Sequence, residues 1–393
     1  MLIELILFLL LGILAGTITG LIPGIHINLI GTLLLSSILL FTIQTPYAII
    51  FITAMAITHT FLDFIPSIFL GCSDTDTELS LLPGHKMVQK GKGYEAILLT
   101  PYGSLIAIFL ILIVAFPSLF IIEKIFPYIK EAIPYFLILI SIFLISTEGN
   151  KLIALKIFLL TGFLGLSVST LEITQPLLPL LTGLFGSSII IKSIKEKTLI
   201  PKQILTKPKI RRKRKLILAS LLSAPLCSFL PGLGSGQAAL IGNLISKENT
   251  RGFLTLLGIT NTLVMGFSFI ALFAIQKTRT GAAAFVMEIV PSLGSEYFVL
   301  ILVVILISGI VGFYLTRFLG LWFVRVIEKI NYEKVSYGVL VGLVLVVLLV
   351  SGFGGLLVFC LSTATGLYCL KFKVRRTNMM GVLMVPSIVW GLF

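Results

Sequence analysis

Charge is what this sequence lacks. Only 12% of its 393 residues are charged, where a soluble globular chain carries roughly 25%. Histidine is scarcer still, with His26, His59 and His85 the full set. No HExxH, GxSxG, P-loop lysine or CxxC pattern occurs, so hydrolytic, nucleotide-driven and thiol chemistry have no residues to run them. The chain is not expected to be an enzyme. The four cysteines, Cys72, Cys227, Cys360 and Cys369, have no metal-ligand spacing. Three of them lie in or beside apolar runs, where a thiol acts as a small hydrophobe, and no metal site is expected.

What is abundant is apolar length. Hydrophobic residues make up 57% of the chain and collect in runs such as 2–21, 47–70, 96–122, 253–275 and 297–315. Crossing the hydrocarbon core as a helix takes roughly 20 apolar residues, and the runs do not alternate as barrel strands would. The fold class expected is an all-α polytopic membrane protein of about 10–12 segments, some re-entrant. The start, "MLIELILFLL", carries Glu4 and no basic n-region, so it reads as a first membrane helix rather than a cleaved signal.

The net charge of +14 is concentrated. Lys192, Lys195, Lys197, Lys202, Lys207, Lys209 and the basic run 211–215 face a single acid, Glu196. A second basic cluster occupies 371–376. Short loops rich in Lys and Arg mark the cytoplasmic side and favour anionic headgroups. These clusters are topology signals facing membrane lipids, and no nucleic-acid partner is expected.

Two phrases recur. "IPGIHINLIG" begins at Ile22 and "LPGLGSGQAALIG" at Leu230. Pro23-Gly24 is matched by Pro231-Gly232, and Leu29-Ile30-Gly31 by Leu240-Ile241-Gly242. Further on, Ile57-Thr58-His59-Thr60 is matched by Ile259-Thr260-Asn261-Thr262. The shared order implies a gapped duplication. Residues 1–191 form a first repeat, 192–215 a basic cytoplasmic linker containing Pro201 and Pro208, and 216–393 a second repeat. Duplicated folds with helices broken at equivalent places are typical of secondary transporters, commonly with inverted repeats and the breaks near the midplane. Inversion is expected on that precedent.

Proline stops a helix and glycine permits a turn, so each elbow can aim backbone N–H groups at an anion. Gly24, His26 and Asn28 in the first elbow, and Gly232, Gly234, Ser235, Gly236, Gln237 and Asn243 in the second, are the candidate substrate contacts. Asn261, at the place of His59, joins them. The plainer reading is that the glycines allow close helix packing and that each amide caps its own helix.

Asp63 follows His59 by four positions, so on a continuous helix they share a face. An ionisable residue in a span suggests a transport pathway, and Asp63, His59 and Thr60 are the ion-coupling candidates. A carboxylate here binds Na⁺ or carries H⁺; no other cofactor is expected. The alternative is that Asp63 sits near a helix end or pairs structurally with His59. Thr58, Thr60, Thr260 and Thr262 either coordinate through hydroxyls or bond back to helix carbonyls. Asp74, Asp76 and Glu78 alternate like half a calcium loop without its glycine or distal Glu, and read as a solvated loop. Lys277 and Arg279 read as an interface marker.

The stretch from Gly84 to Gly91, "GHKMVQKG", followed by Glu95-Ala96-Ile97, resembles a phrase of the TctA family, the large membrane subunit of tripartite tricarboxylate transporters. Both elbows resemble that family's Pro-Gly elbows. The resemblance covers residues 10–110 well and 215–290 loosely, the final hundred matching only in hydrophobicity. His26 and Asn28 stand where the family's first elbow is glycine-rich. The resemblance implies an ion-coupled transporter of an organic anion, di- or tricarboxylate-like, working with a small membrane subunit and an extracytoplasmic binding protein. More weakly, the elbows resemble those of a family that translocates undecaprenyl phosphate, so a lipid phosphate is the alternative substrate.

Overall fold

The computed structural model describes residues 2–22, 27, 30, 31, 34, 43–70, 77–195, 201–206, 208, 213–229, 234–278, 280–327, 332–372 and 374–392. Every regular element among them is helical. In chain order these are α1 (Leu2–Leu21), α2 (Thr45–Leu62), α3 (Phe64–Leu70), α4 (Leu81–Val88), α5 (Gly93–Ser146), α6 (Lys151–Ser169) and α7 (Leu177–Leu181). A π-helical turn, Thr182–Ser187, leads into α8 (Ser188–Lys195). The second half holds α9 (Lys213–Phe229), α10 (Ser235–Ser246), α11 (Thr250–Ile275), α12 (Gly281–Ile289), α13 (Ser295–Ile327), α14 (Tyr332–Lys371) and α15 (Gly381–Leu392).

Seven of the described helices are long and apolar enough to cross a membrane, and 131–146 and 177–192 add shorter apolar segments. The protein is therefore an all-α polytopic membrane protein, as the apolar runs predict. Its periphery carries Ile3, Leu14, Ile113, Phe120 and Phe163, all exposed, which suits a lipid-facing belt. Two spans are almost wholly enclosed by the others: Thr45–Phe69 and Thr250–Ile275. They form the centre of the molecule.

Glycines set how closely the central helices approach. Gly12, Gly16 and Gly20 of α1 lie against Phe51, Met55 and Leu62 of α2, where any Cβ would collide. Small residues permit this backbone contact where no hydrophobic force drives helices together. The register rises on both helices, so α1 and α2 run parallel. Thr100 lies at Gly258 and Ile111 at Gly266, so α5 and α11 also run parallel. Ala54 packs with Val304, and Phe61 with Gly312, giving α2 and α13 the same sense.

The pair α5 and α13 is different. Ile97 meets Gly320, Ile108 meets Gly309, Tyr102 stacks edge-on against Phe313, and Phe116 against Phe298. One register rises as the other falls, so these helices are antiparallel. It follows that α2 and α11 are antiparallel as well.

Element boundaries echo the sequence duplication. Thr60 and Thr262, equivalent in the matched phrases, are 202 positions apart. The same offset separates the starts of α5 and α13. It also carries α6 onto the leg of α14 that follows Gly352. Gly352 has φ 64°, a left-handed value that glycine accepts without strain, and there α14 bends. The 192–215 segment is partly docked rather than free: Gln203 Oε1 accepts from the Gly93 N–H at 2.8 Å, and Ile204 N–H donates to Gly91 O at 2.7 Å.

Candidate functional site

The polar centre lies where α2 breaks. Pro66 follows the break three positions on; it has no N–H to donate to the Leu62 carbonyl four residues earlier, and its ring crowds that carbonyl. Asp63 ends α2, its N–H bonded to His59 O at 3.0 Å, and α3 starts one residue later. Ser67 Oγ donates to the Asp63 carbonyl at 2.7 Å, holding the turn from the far side. The result is a carboxylate only 4% exposed, inside the bundle. Asp63 is thus both at a helix end and at the core.

Three elements converge on it. His59 Nε2 of α2 stands 4.0 Å from Asp63 Oδ2. Asn261 Nδ2 of α11 donates to the same oxygen at 2.9 Å, and reaches Thr60 O at 3.4 Å. Thr60 Oγ1 and Thr262 Oγ1 are 3.1 Å apart. From α1, Thr19 Oγ1 is 3.0 Å from His59 Nδ1. Ionised groups in membrane interiors are kept because they are paired and used; here the two halves of the chain share the pairing.

The structure therefore brings together Asp63, His59, Thr60 and Asn261. Asn261, expected as a substrate contact at the place of His59, donates to the carboxylate. Thr60 and Thr260 also bond back to helix carbonyls, at Ile57 (2.8 Å) and at Leu256 (3.0 Å). Thr19 is the residue sequence reasoning missed. The only hint lay in the neighbouring "GTITG" of the first phrase, since a threonine that serves a distant histidine looks like any helix threonine.

Of the second elbow, Gly234 is the N-cap of α10 with extended backbone (φ −95°, ψ 179°), and Ser235, Gly236 and Gln237 form its buried first turn. Gln237 Oε1 accepts from the Gly234 N–H at 2.8 Å, so the residue does cap its own helix, with the side chain of N3 serving the N-cap backbone. Its Nε2 has no hydrogen-bond partner among the described residues, although the residue is 1% exposed. A buried amide donor left open is costly, about 1–3 kcal/mol, and it sits where the first-turn N–H groups of α10 also lack helix acceptors. Asn243 lies at the other end of α10, its Oδ1 accepting from the Glu248 N–H at 2.8 Å.

Gly24, His26, Asn28 and Gly232 lie outside the described residues. So do Asp74, Asp76 and Arg279. Gly31, matched in sequence by Gly242, packs on the Phe285 ring of α12, so the first elbow's neighbourhood touches the second half. Lys277 is exposed. Among the described residues no group of three or more His, Cys, Asp or Glu could hold a metal ion.

The sequence matches a family described as the tripartite tricarboxylate transporter TctA family over residues 6–381. That span reaches well past the parts in which the motifs alone carry the resemblance. An uncharacterised protein of Methanocaldococcus jannaschii is 31% identical over 408 aligned positions, covering 98% of this chain and 99% of that protein. No solved structure matches. The chain belongs to the TctA family, a family of transporter membrane subunits.

Proposed function

We propose that this protein is the large membrane subunit of a secondary transporter that moves an organic anion, di- or tricarboxylate-like, across the cell membrane by alternating access. The observation that carries the reading is the buried Asp63 at a helix break, held by Asn261 from the opposite half. An enclosed carboxylate between two packed halves suits a coupling-ion site, because motion of one half against the other changes its partners. His59 and Thr60 complete the coupling site. The substrate's carboxylates meet the first-turn amides of α10 with Gln237, and Gly24, His26 and Asn28 from the first elbow.

Residues 1–191 and 216–393 are inverted repeats in this reading. Support comes from α5 and α13, which share the 202-residue offset and run antiparallel. Thr60 touching its own counterpart Thr262 is expected near a two-fold axis. The clusters at 192–215 and 371–376 face the cytoplasm. A small membrane subunit and an extracytoplasmic binding protein are the expected partners.

Ligand-dependent thermal stability of the purified protein tests the substrate class, since a ligand that binds only the folded state raises Tm. Citrate or succinate should raise it and a polyprenyl phosphate should not. Stabilisation by the lipid phosphate alone would replace the carboxylate reading with translocation of a lipid carrier through the same amides.

A further inference from the structure

On the transport reading above, we infer that Gln237 selects for an anionic oxygen on the substrate, its side-chain amide being locked so that only a donor faces the ligand. Oε1 of Gln237 accepts from the Gly234 N–H at 2.8 Å. A backbone N–H can bond only the oxygen of an amide, so the head cannot be turned over. Nε2 is thereby fixed beside the first turn of α10. It meets no hydrogen-bond partner among the described residues, in a side chain that is almost wholly buried. The cap and the ligand donor are two ends of one rigid group.

The backbone adds donors of the same kind. The first helical bond of α10 runs from Ala238 N–H to Gly234 O at 3.1 Å. The N–H groups of Gly236 and Gln237 precede it and have no acceptor inside the helix. The positive end of the helix dipole lies there too. Ser235, Ala238 and Ala239 are fully buried, so the turn is enclosed. No residue of α10 is charged; Lys247 caps its far end and is exposed. On α11, Arg251 is gripped by Glu95 at 2.6 Å. The donors described at the turn are therefore neutral. A neutral set can release an anion without leaving a buried, unpaired cation behind, which suits a site that must let its ligand go.

The turn lies level with the polar centre. α10 doubles back into α11 through 247–249, and Gly242, near that connection, faces the Leu256 side chain. Five residues back along α10 and five forward along α11, about 7.5 Å each, bring Gln237 level with Asn261. The other limb of the elbow agrees. Ser228 Oγ, at the end of α9, is 3.5 Å from Val264 O, three residues past Asn261. An anion held at Gln237 and the carboxylate held by Asn261 thus share one level of the bundle.

Gln237→Glu separates the two ends of the amide. A glutamate keeps an oxygen for the Gly234 N–H, as in a capping box, and puts an anionic oxygen where the donor was. Gln237→Ala removes both ends and leaves the backbone donors. Melting of the purified protein without ligand should therefore be alike for Gln and Glu and lower for Ala. Citrate affinity, from calorimetric titration of the same preparations, should follow another order. Gln should bind tightest, Ala at least about tenfold weaker, the worth of a hydrogen bond to a charged group, and Glu weakest. Affinity that follows stability, with Glu as tight as Gln, would overturn the inference and reduce Gln237 to a cap. Titrations with inorganic phosphate and a polyprenyl phosphate identify the source of the oxygen. Binding of either phosphate in place of citrate, in the same variant order, would keep the donor role of Gln237 and overturn the carboxylate substrate. Binding of none of the three by the unaltered, folded protein would overturn the transport reading, and this inference with it.

Discussion

Asp63 shows how a single residue becomes chemistry. Its carboxylate is costly in a membrane, roughly 2.5–3.5 kcal/mol at a helix centre on insertion scales, and the structure offsets that with Asn261 and His59. The sequence exposed Asp63 plainly, because a lone acid in an apolar run stands out. It could not expose Asn261 as its partner, since that contact joins residues 198 positions apart. Gln237 is the second informative residue. Its acceptor caps α10 and its donor meets no partner among the described residues, so the capping reading and the ligand reading each claim one end of the amide. Gln237→Ala is expected to weaken citrate uptake and to cost about 1 kcal/mol of stability through the lost cap; uptake and a melting curve measure the two separately. Asn28→Ala should weaken uptake as well, and unchanged uptake in both variants would remove the elbows from the site. Gly258→Ala should fail more severely, because the added Cβ would run into the Thr100 carbonyl. Loss of monodisperse protein on size exclusion is the expected result.

At the scale of elements, the basic stretch between the repeats has more structure than its prolines and charges suggest. Residues 201–206 lie across the start of α5. Gln203 bonds Gly93 N–H, Val88 O (3.1 Å) and Pro201 O (2.5 Å). Thr206 Oγ1 donates to Glu95 Oε2 at 3.3 Å, and Arg251 of α11 grips both oxygens of Glu95, at 2.6 and 3.2 Å. Gly91, with φ 71°, makes room: a Cβ there would stand 2.9 Å from Lys202 O. The Gly84–Gly91 phrase was visible as a family motif, but its role as a seat for the linker was not, because half of the bonds are made by backbone groups that leave no trace in residue type. Gln203→Ala removes bonds worth roughly 1 kcal/mol net, which should speed local opening about fivefold. Trypsin cleavage within 192–215 should accelerate by that factor, with the membrane core intact. An unchanged cleavage rate would mean that the segment is held by something other than Gln203.

For the whole molecule, the matched phrases propose a duplication and leave its sense open. Matched phrases such as Ile57–Thr60 and Ile259–Thr262 place the copies in order, but hydropathy left the number of crossings between them undecided. Helix direction came from packing: the falling register of α5 against α13 could be read only once Ile97 met Gly320 and Phe116 met Phe298. Inversion makes a sharp topological prediction. Lys92 and Gly294 stand at equivalent points just before α5 and α13. Single cysteines placed there, in a background without Cys72, Cys227, Cys360 and Cys369, should react with an impermeant maleimide from opposite sides of the membrane. Labelling from the same side would make the repeats parallel.

The central claim is that the polar contact between the halves, Asp63 with Asn261, is the working part of a transporter. Citrate accumulation by proteoliposomes containing the unaltered protein or Asn261→Ala, at equal protein incorporation and with the small membrane subunit and the binding protein supplied, measures this directly. The account predicts accumulation in the first, above protein-free liposomes, and its loss in the second. Equal accumulation in both would contradict it.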